Sequence, residues 1–202
     1  VFIDLVGFGI VLPLMPGFAA SYGISPVAIG VLVTSFSLLQ LMVSPLWGSL
    51  SDRIGRRPVL LIGLAGSTVS YLLFAFAHGF WALLASRVVA GSMGATVGVA
   101  QAYVADITPA DKRAQSLGIL GAAFALGFIL GPALGGVLYS YSHSAAGFAA
   151  ATFCGVNALA AFLWLPETPR HLGRQARGRV PVRPLAAPLA AAFLLVTSFA
   201  VI

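Results

Sequence analysis

Five stretches of this chain carry no Asp, Glu, Lys or Arg: residues 5–51, 58–86, 88–105, 114–166 and 184–202. They are 47, 29, 18, 53 and 19 residues long. A helix crossing the ~30 Å hydrocarbon core of a bilayer needs about 20 mostly apolar residues. The 47- and 53-residue runs each hold two spans and a turn, the 29-residue run holds one, and the 18-residue run reaches a full span only by taking in Arg87. The composition agrees: 59% of residues are hydrophobic, 8% are charged and the mean hydropathy is +1.00. A soluble domain is about 25% charged, so this chain cannot coat a water-exposed globule. That excludes an ordinary soluble enzyme and a disordered tail. It also excludes a nucleic-acid binder, despite a net charge of +6 and a pI near 10.3. Cys154 is the only cysteine, which excludes a disulfide framework and a Cys-rich metal site. The expected fold is an all-α polytopic membrane protein, with the lipid bilayer as its surroundings.

Turn-forming residues divide the long runs. Ser21-Tyr22-Gly23-Ile24-Ser25-Pro26 splits the first, giving span 1 near 1–20 and span 2 near 27–49. Ser140-Tyr141-Ser142-His143-Ser144 splits the other, giving span 5 near 115–139 and span 6 near 146–165. Span 3 lies near 58–77 and span 4 near 80–105, joined at His78-Gly79. The expected domains are a six-span bundle over 1–165, a polar linker over 166–184 and the start of a seventh span over 185–202.

Ten of the eleven basic residues fall on one side of this arrangement. Arg53, Arg56 and Arg57 lie in the 2–3 loop, Lys112 and Arg113 in the 4–5 loop, and Arg170, Arg174, Arg177, Arg179 and Arg183 in the linker. Cytoplasmic loops carry the excess of Lys and Arg, so these connections and the N-terminus are expected to be cytoplasmic. The Arg-rich linker suits either lipid headgroups or plain solvation. Val1 already stands in apolar sequence and Ile202 ends a charge-free run, so the chain reads as cut at both ends. No cleavable signal peptide is visible.

Only Asp4 and Arg87 place a charge inside a span. An ionisable group at mid-membrane costs about 2.5–3.5 kcal/mol on insertion scales, and such groups face a cavity or a partner. Asp4 is open to two readings, proton or substrate handling and a structural polar contact. Arg87 needs a carboxylate, backbone carbonyls or water around it, with Asp4 as one candidate, unless it snorkels to the outer interface. Gln40, Gln101 and Asn157, with Tyr71 and Tyr103, either line a cavity or bond a neighbouring helix. Cys154 reads as packing, and His78, His143 and His171 lie in turns or the linker.

The 2–3 loop reads Gly48-Ser-Leu-Ser51-Asp52-Arg53-Ile-Gly55-Arg56-Arg57-Pro58-Val-Leu60. Asp52 is expected just past the end of span 2. Gly55 suits a very short turn, Pro58 the first turn of span 3, and Gly48 a close helix approach. Arg56 and Arg57 can fork onto a carboxylate, and Asp106 at the end of span 4 is available. The whole string resembles the loop 2–3 motif of the major facilitator superfamily, Gly-x-Leu-x-Asp-Arg-x-Gly-Arg-Arg-x-x-Leu, at every fixed position. The resemblance implies a gate at the cytoplasmic ends of two transporter halves, made by Gly48, Asp52, Arg53, Gly55, Arg56, Arg57, Asp106 and Arg113.

Three further strings carry the same resemblance. In span 1, Asp4-Leu-Val-Gly7-Phe-Gly9-Ile-Val-Leu-Pro13-Leu-Met-Pro16 resembles a pattern of drug-proton antiporters. In span 4, Arg87-Val-Val-Ala-Gly91-Ser-Met-Gly94 resembles an Arg-x-x-x-Gly-x-Gly motif, with one extra residue between the glycines. In span 5, Gly127-Phe-Ile-Leu-Gly131-Pro132-Ala-Leu-Gly135-Gly136 matches the antiporter motif of exporting branches, Gly-x-x-x-Gly-Pro-x-x-Gly-Gly. The 4–5 loop, where Thr108 and Asp111 are possible helix caps, and the Leu165-Pro166-Glu167-Thr168 end of span 6 are also similar to the family's.

The resemblance implies the N-terminal six-helix half, two inverted three-helix repeats, of a twelve-helix transporter. Its partners would be the C-terminal half of the same transporter, a small organic substrate and protons, in the inner (plasma) membrane. Asp4 and Arg87 would couple the proton, and Gln40, Tyr71, Gln101 and Tyr103 are the candidate cavity residues. No enzyme activity, cofactor, metal or nucleic acid is expected, and the lack of a Walker loop points to an ion gradient rather than ATP. Export of drugs or other small organic molecules is the expectation. Tetracycline-specific export and uptake of a sugar or metabolite are the alternatives, and a non-transporting receptor is the rival. Tetracycline exporters typically have an Asp before a Tyr in helix 3, where this chain has Ser70-Tyr71.

Overall fold

The computed structural model describes residues 2–94 and 96–167. The expected seventh span and the linker from residue 168 onward lie outside the described residues. The elements are α1 (Phe2–Ser21), α2 (Pro26–Ile54), α3 (Arg56–Ala75), α4 (Phe80–Met93), α5 (Thr96–Ile107), α6 (Arg113–Tyr141) and α7 (His143–Trp164). α4 and α5 follow one another through Gly94 and together make the fourth span, Phe80–Ile107. Six helices among the described residues are thus long and apolar enough to cross a membrane.

The turns have local causes. Ser25 caps α2 by accepting from the Ala28 N–H at 3.3 Å, and Pro26 occupies the first helical position, where no amide hydrogen is needed. Gly55 alone separates α2 from α3 at φ 107°, a backbone conformation that side-chain-bearing residues rarely adopt. Ser142 caps α7 by accepting from the Ser144 N–H at 3.3 Å.

Two expectations about helix ends are corrected. α2 runs to Ile54 rather than stopping near 49, so Asp52 sits in its last turn and not beyond it. Charged residues mark the edge of the hydrocarbon, and the backbone ladder continues past that edge until Gly55 breaks it. Thr108 and Asp111 do not cap α6. Its N-cap is Lys112, without a side-chain cap bond, because the helix begins at Arg113 and Asp111 falls one residue too early. The 4–5 loop is closed instead by Arg113 Nε, which donates to the carbonyls of Ala105 (2.9 Å) and Thr108 (3.3 Å).

The principal packing pairs are span 1 on span 5, span 3 on span 6, span 3 on span 4, span 2 on span 4 and span 1 on span 6. Exchanging spans 1, 2 and 3 for 4, 5 and 6 leaves this network unchanged. Pair 1–5 becomes 4–2, pair 3–4 becomes 6–1, and pair 3–6 maps onto itself. That is the contact signature of two three-helix repeats.

Lipid tails are as apolar as Leu, so burial alone does not drive these helices together and close packing must. The tightest approach joins α1 to α6. A Cβ on Gly131 would sit 2.6 Å from Gly9 Cα, and one on Gly9 would sit 3.1 Å from the Gly127 carbonyl oxygen. The span 5 motif therefore packs directly on the span 1 motif. α2 and α6 are different. Only 6% and 11% of their apolar windows are buried, against 50% for α1 and α3. Each presents a long apolar face that no described residue covers.

Candidate functional site

At the end of the bundle carrying Arg53, Arg56, Arg57, Lys112 and Arg113, Arg56 is the hub. Its Nη1 lies 2.7 Å from Asp52 Oδ1 and donates to Ser51 Oγ at 2.5 Å, while its Nε donates to Asp106 Oδ2 at 3.1 Å. The turn after span 2 is thereby tied to the end of span 4. Ser51 is buried, and the Arg56 side chain is 17% exposed against 39% for Asp52. Each pair, being partly solvated, contributes at most about 1 kcal/mol. Arg57 does not fork onto a carboxylate as expected. Its Nη2 donates to the Phe162 carbonyl at 2.6 Å and its guanidinium stands 5.8 Å from the Phe162 ring centroid. Its place at the start of α3 turns it toward α7, away from Asp106. Arg53 and Arg113 are exposed. Gly48 makes no close helix approach among the described residues, since a Cβ there would meet nothing within 4 Å.

Asp4 is half-buried in the bundle. The Cys154 thiol donates to its Oδ1 at 3.3 Å and also lies 3.5 Å from the Leu64 carbonyl. Leu64 is eight residues in from Arg56 at the start of α3, and Cys154 is ten residues before Trp164 at the end of α7. At 1.5 Å per residue, Asp4 stands about 12–15 Å from the basic ends of both helices. That is the middle of a ~30 Å core. The level is set by neighbours far along the chain, which is why sequence alone does not give it. Cys154 is therefore more than packing: it is the thiol partner of the membrane-embedded carboxylate.

Arg87 is only 2% exposed and does not snorkel. It lies 5.7 Å from the Phe74 ring centroid, its Nε is 3.4 Å from Ser86 Oγ, and its buried Nη2 has no hydrogen-bond partner among the described residues. Arg87 is seven residues in from Phe80, and Phe74 is next to the end of α3. The guanidinium thus lies about 10 Å from the end of the bundle opposite the basic loops. Asp4 and Arg87 form no ion pair among the described residues. They are on different levels, and Tyr71, buried on α3, lines a cavity with Asp4. Ser70, the residue before Tyr71, is fully buried and donates to the Ser86 carbonyl at 3.0 Å, beside Arg87.

Two cavities meet at Asp4. One, of about 200 Å³, is lined by Asp4, Gln40, Ser70, Tyr71 and the rings of Phe8, Phe36, Phe124 and Phe128. Phe8 packs on Phe36 and Phe128, with centroids 5.3 and 5.7 Å away. Gln40 Nε2 also donates at 3.3 Å to the Gly94 carbonyl, left available where α4 gives way to α5. The other, of about 350 Å³, lies among α3, α5 and α7 and runs from Asp4 past Asn157 to Tyr103, Trp164 and Leu165. So Gln40 and Tyr71 share a cavity with Asp4. Tyr103 lines the other one, its hydroxyl donating to the Pro166 carbonyl at 3.0 Å. Gln101 is exposed and lines neither. In the span 5 motif, Gly127, Gly131 and Gly135 are buried against α1, while Pro132 and Gly136 are exposed.

Comparison with known proteins places this geometry. The family model of the Major Facilitator Superfamily matches residues 1–202. The class C tetracycline resistance protein of Escherichia coli is 41% identical over 184 residues, covering 90% of this chain and 46% of that protein. The quinolone resistance protein NorA of Staphylococcus aureus is 36% identical over 144 residues, covering 71% of this chain and 37% of NorA. The crystal structure of the human organic anion transporter MFSD10 (TETRAN) superposes with a TM-score of 0.72 at 36% identity, covering 83% of this chain and 45% of that one. The chain spans about half the length of the curated relatives it matches.

Proposed function

The chain belongs to the Major Facilitator Superfamily, and from that premise we propose that it forms the N-terminal half of a proton-coupled exporter of small organic molecules. The observation that carries the reading is the position of Asp4, a carboxylate at mid-membrane that opens onto an aromatic-lined cavity. Alternating access is the mechanism. The two halves rock about the midplane, and proton uptake by Asp4 from outside is exchanged for substrate loaded from the cytoplasm. Four Phe rings and Tyr71 around a carboxylate favour flat organic substrates, cationic ones above all. The exposed faces of α2 and α6 are the surfaces the C-terminal half would cover. The Arg56 cluster would be the cytoplasmic gate, and the excess of Lys and Arg in the same loops supports a cytoplasmic N-terminus in an inner-membrane protein. The linker over 166–184 and a seventh span over 185–202 would join the halves. No step requires a cofactor, metal, nucleic acid or enzyme chemistry.

Tetracycline itself is the second reading, because the class C, E and B tetracycline resistance proteins are 40–41% identical to the chain. Against it stands Ser70, which supplies no carboxylate beside Arg87. The test uses the full-length transporter in proteoliposomes under an imposed proton gradient, with tetracycline, a fluoroquinolone and ethidium as probes. Gradient-driven movement of at least one probe, abolished by a protonophore and by Asp4→Asn, is expected. Movement indifferent to the gradient would overturn the reading.

A further inference from the structure

Two side chains are shared by both cavities, Asp4 and Val97, and of these only Asp4 is polar. The cavity among α3, α5 and α7 has no evident part in holding substrate. It touches the aromatic-lined cavity at Asp4 and Val97, and its walls are mainly Leu, Val and Ala. It nevertheless contains one polar group left unsatisfied among the described residues: Asn157 Nδ2 is buried and has no hydrogen-bond partner there. A buried amide hydrogen without an acceptor is costly, and natural structures meet that cost with ordered water when there is room. Here there is room, about 350 Å³.

The polar groups of this cavity are also spaced along the membrane normal. Asp4 is at the level of Cys154 on α7. Asn157 is three residues further along α7, about 4.5 Å nearer its basic end. Tyr103 stands at the mouth, with its hydroxyl on the Pro166 carbonyl just past that end. Trp164, 80% exposed, flanks the same opening, at the depth where Trp marks the membrane–water boundary.

We infer that the α3–α5–α7 cavity is a hydrated proton passage linking Asp4 to the cytoplasm through Asn157 and Tyr103, separate from the substrate cavity. The inference rests on the proton-coupled reading above. It explains how a single carboxylate serves both ligands: the proton leaves through one cavity while substrate enters the other. Atoms balance simply. Protonated Asp4 gives its proton to a water in the passage, a hydronium charge passes to the cytoplasm by successive transfers, and Asp4 is left as carboxylate. Asn157 orients the water and is never itself ionised, so it is a positioning residue. The titratable groups facing Asp4 are Cys154 from α7 and Tyr71 from α3, and Arg87 on α4 is buried at another level against Phe74. α2 and α6 contribute Gln40, Phe124 and Phe128 to the neighbouring cavity, none of them charged.

The test needs no substrate. In full-length protein in nanodiscs, the infrared carbonyl band of protonated Asp4, assigned by its loss in Asp4→Asn, is followed after a pH jump. Asn157→Leu and Ala160→Leu fill the passage with apolar bulk, and each should slow the band at least tenfold without changing its final amplitude. Asn157→Ser keeps a polar group and room for water, and should stay within threefold of wild type. An unchanged rate in both filled variants, or a loss as large in Asn157→Ser as in Asn157→Leu, would overturn the passage. If Asp4 does not titrate at all in wild type, the proton-coupled reading falls with it. An Asp4 that titrates but ignores the passage variants refutes only the inference made here.

Discussion

Gly131→Ala places one methyl group where α1 and α6 touch backbone to backbone. The added Cβ would stand 2.6 Å from Gly9 Cα, 2.7 Å from Gly9 C and 3.0 Å from Ile10 N. Ordinary carbon contacts begin near 3.4 Å, so α1 must retreat by about 0.8 Å. None of the three atoms belongs to a side chain that can rotate away. Overpacking of this kind costs about 1–3 kcal/mol, partly offset by the better helix propensity of Ala, up to about 1 kcal/mol. The same substitution at Gly136, five residues on in the same motif, meets nothing within 4 Å and keeps only the propensity gain. Full-length protein carrying each substitution is compared by thermal unfolding in detergent. Gly131→Ala should lose about 1–3 kcal/mol relative to Gly136→Ala, since the propensity gain is common to both. Equal stability of the two would refute the backbone contact between the span 1 and span 5 motifs.

Arg56→Ala should lower proton-driven transport about tenfold, since Arg56 joins Asp52, Ser51 and Asp106, while costing no more than about 1 kcal/mol of stability; vesicle transport and unfolding midpoints check both halves of the statement. Ser70→Asp should set a carboxylate beside the unpartnered Arg87 nitrogen, and a double-mutant cycle with Arg87→Leu should then show a coupling above about 1 kcal/mol; zero coupling would contradict the placement. Cys154→Val removes the thiol that donates to Asp4 and should impair proton-driven transport more than Cys154→Ser, which keeps a donor. In native protein, Cys154 should resist a membrane-impermeant maleimide, because it is fully buried.

The order of the six described spans was legible in the charge-free runs because a bilayer excludes charge over a fixed length. The pairing of the glycine motifs of spans 1 and 5 was not, because small-residue spacing shows that a helix packs closely without showing against what. The gate was half legible. The loop string exposed Arg56 and Asp106, but which of two adjacent arginines takes the carboxylate depends on the angle at which α3 leaves Gly55. Asp4 and Arg87 stood out as the only charges within spans, and their pairing was a natural guess. It fails because depth along the membrane normal comes from tertiary contacts, Cys154 and Leu64 for one and Phe74 and Ser86 for the other. Cys154 and Asn157 left only faint marks, as polar atoms in apolar helices, and acquire meaning from the cavity and carboxylate beside them.

Proton release on substrate binding tests the central claim most directly. Full-length protein in lightly buffered detergent solution, at a pH where Asp4 is protonated, receives whichever of tetracycline, fluoroquinolone or ethidium it transports, and the solution pH is followed. The account predicts proton release by wild-type protein and none by Asp4→Asn. Equal release by both, or none from a wild-type protein that binds the drug, would contradict Asp4 as the group that exchanges proton for substrate.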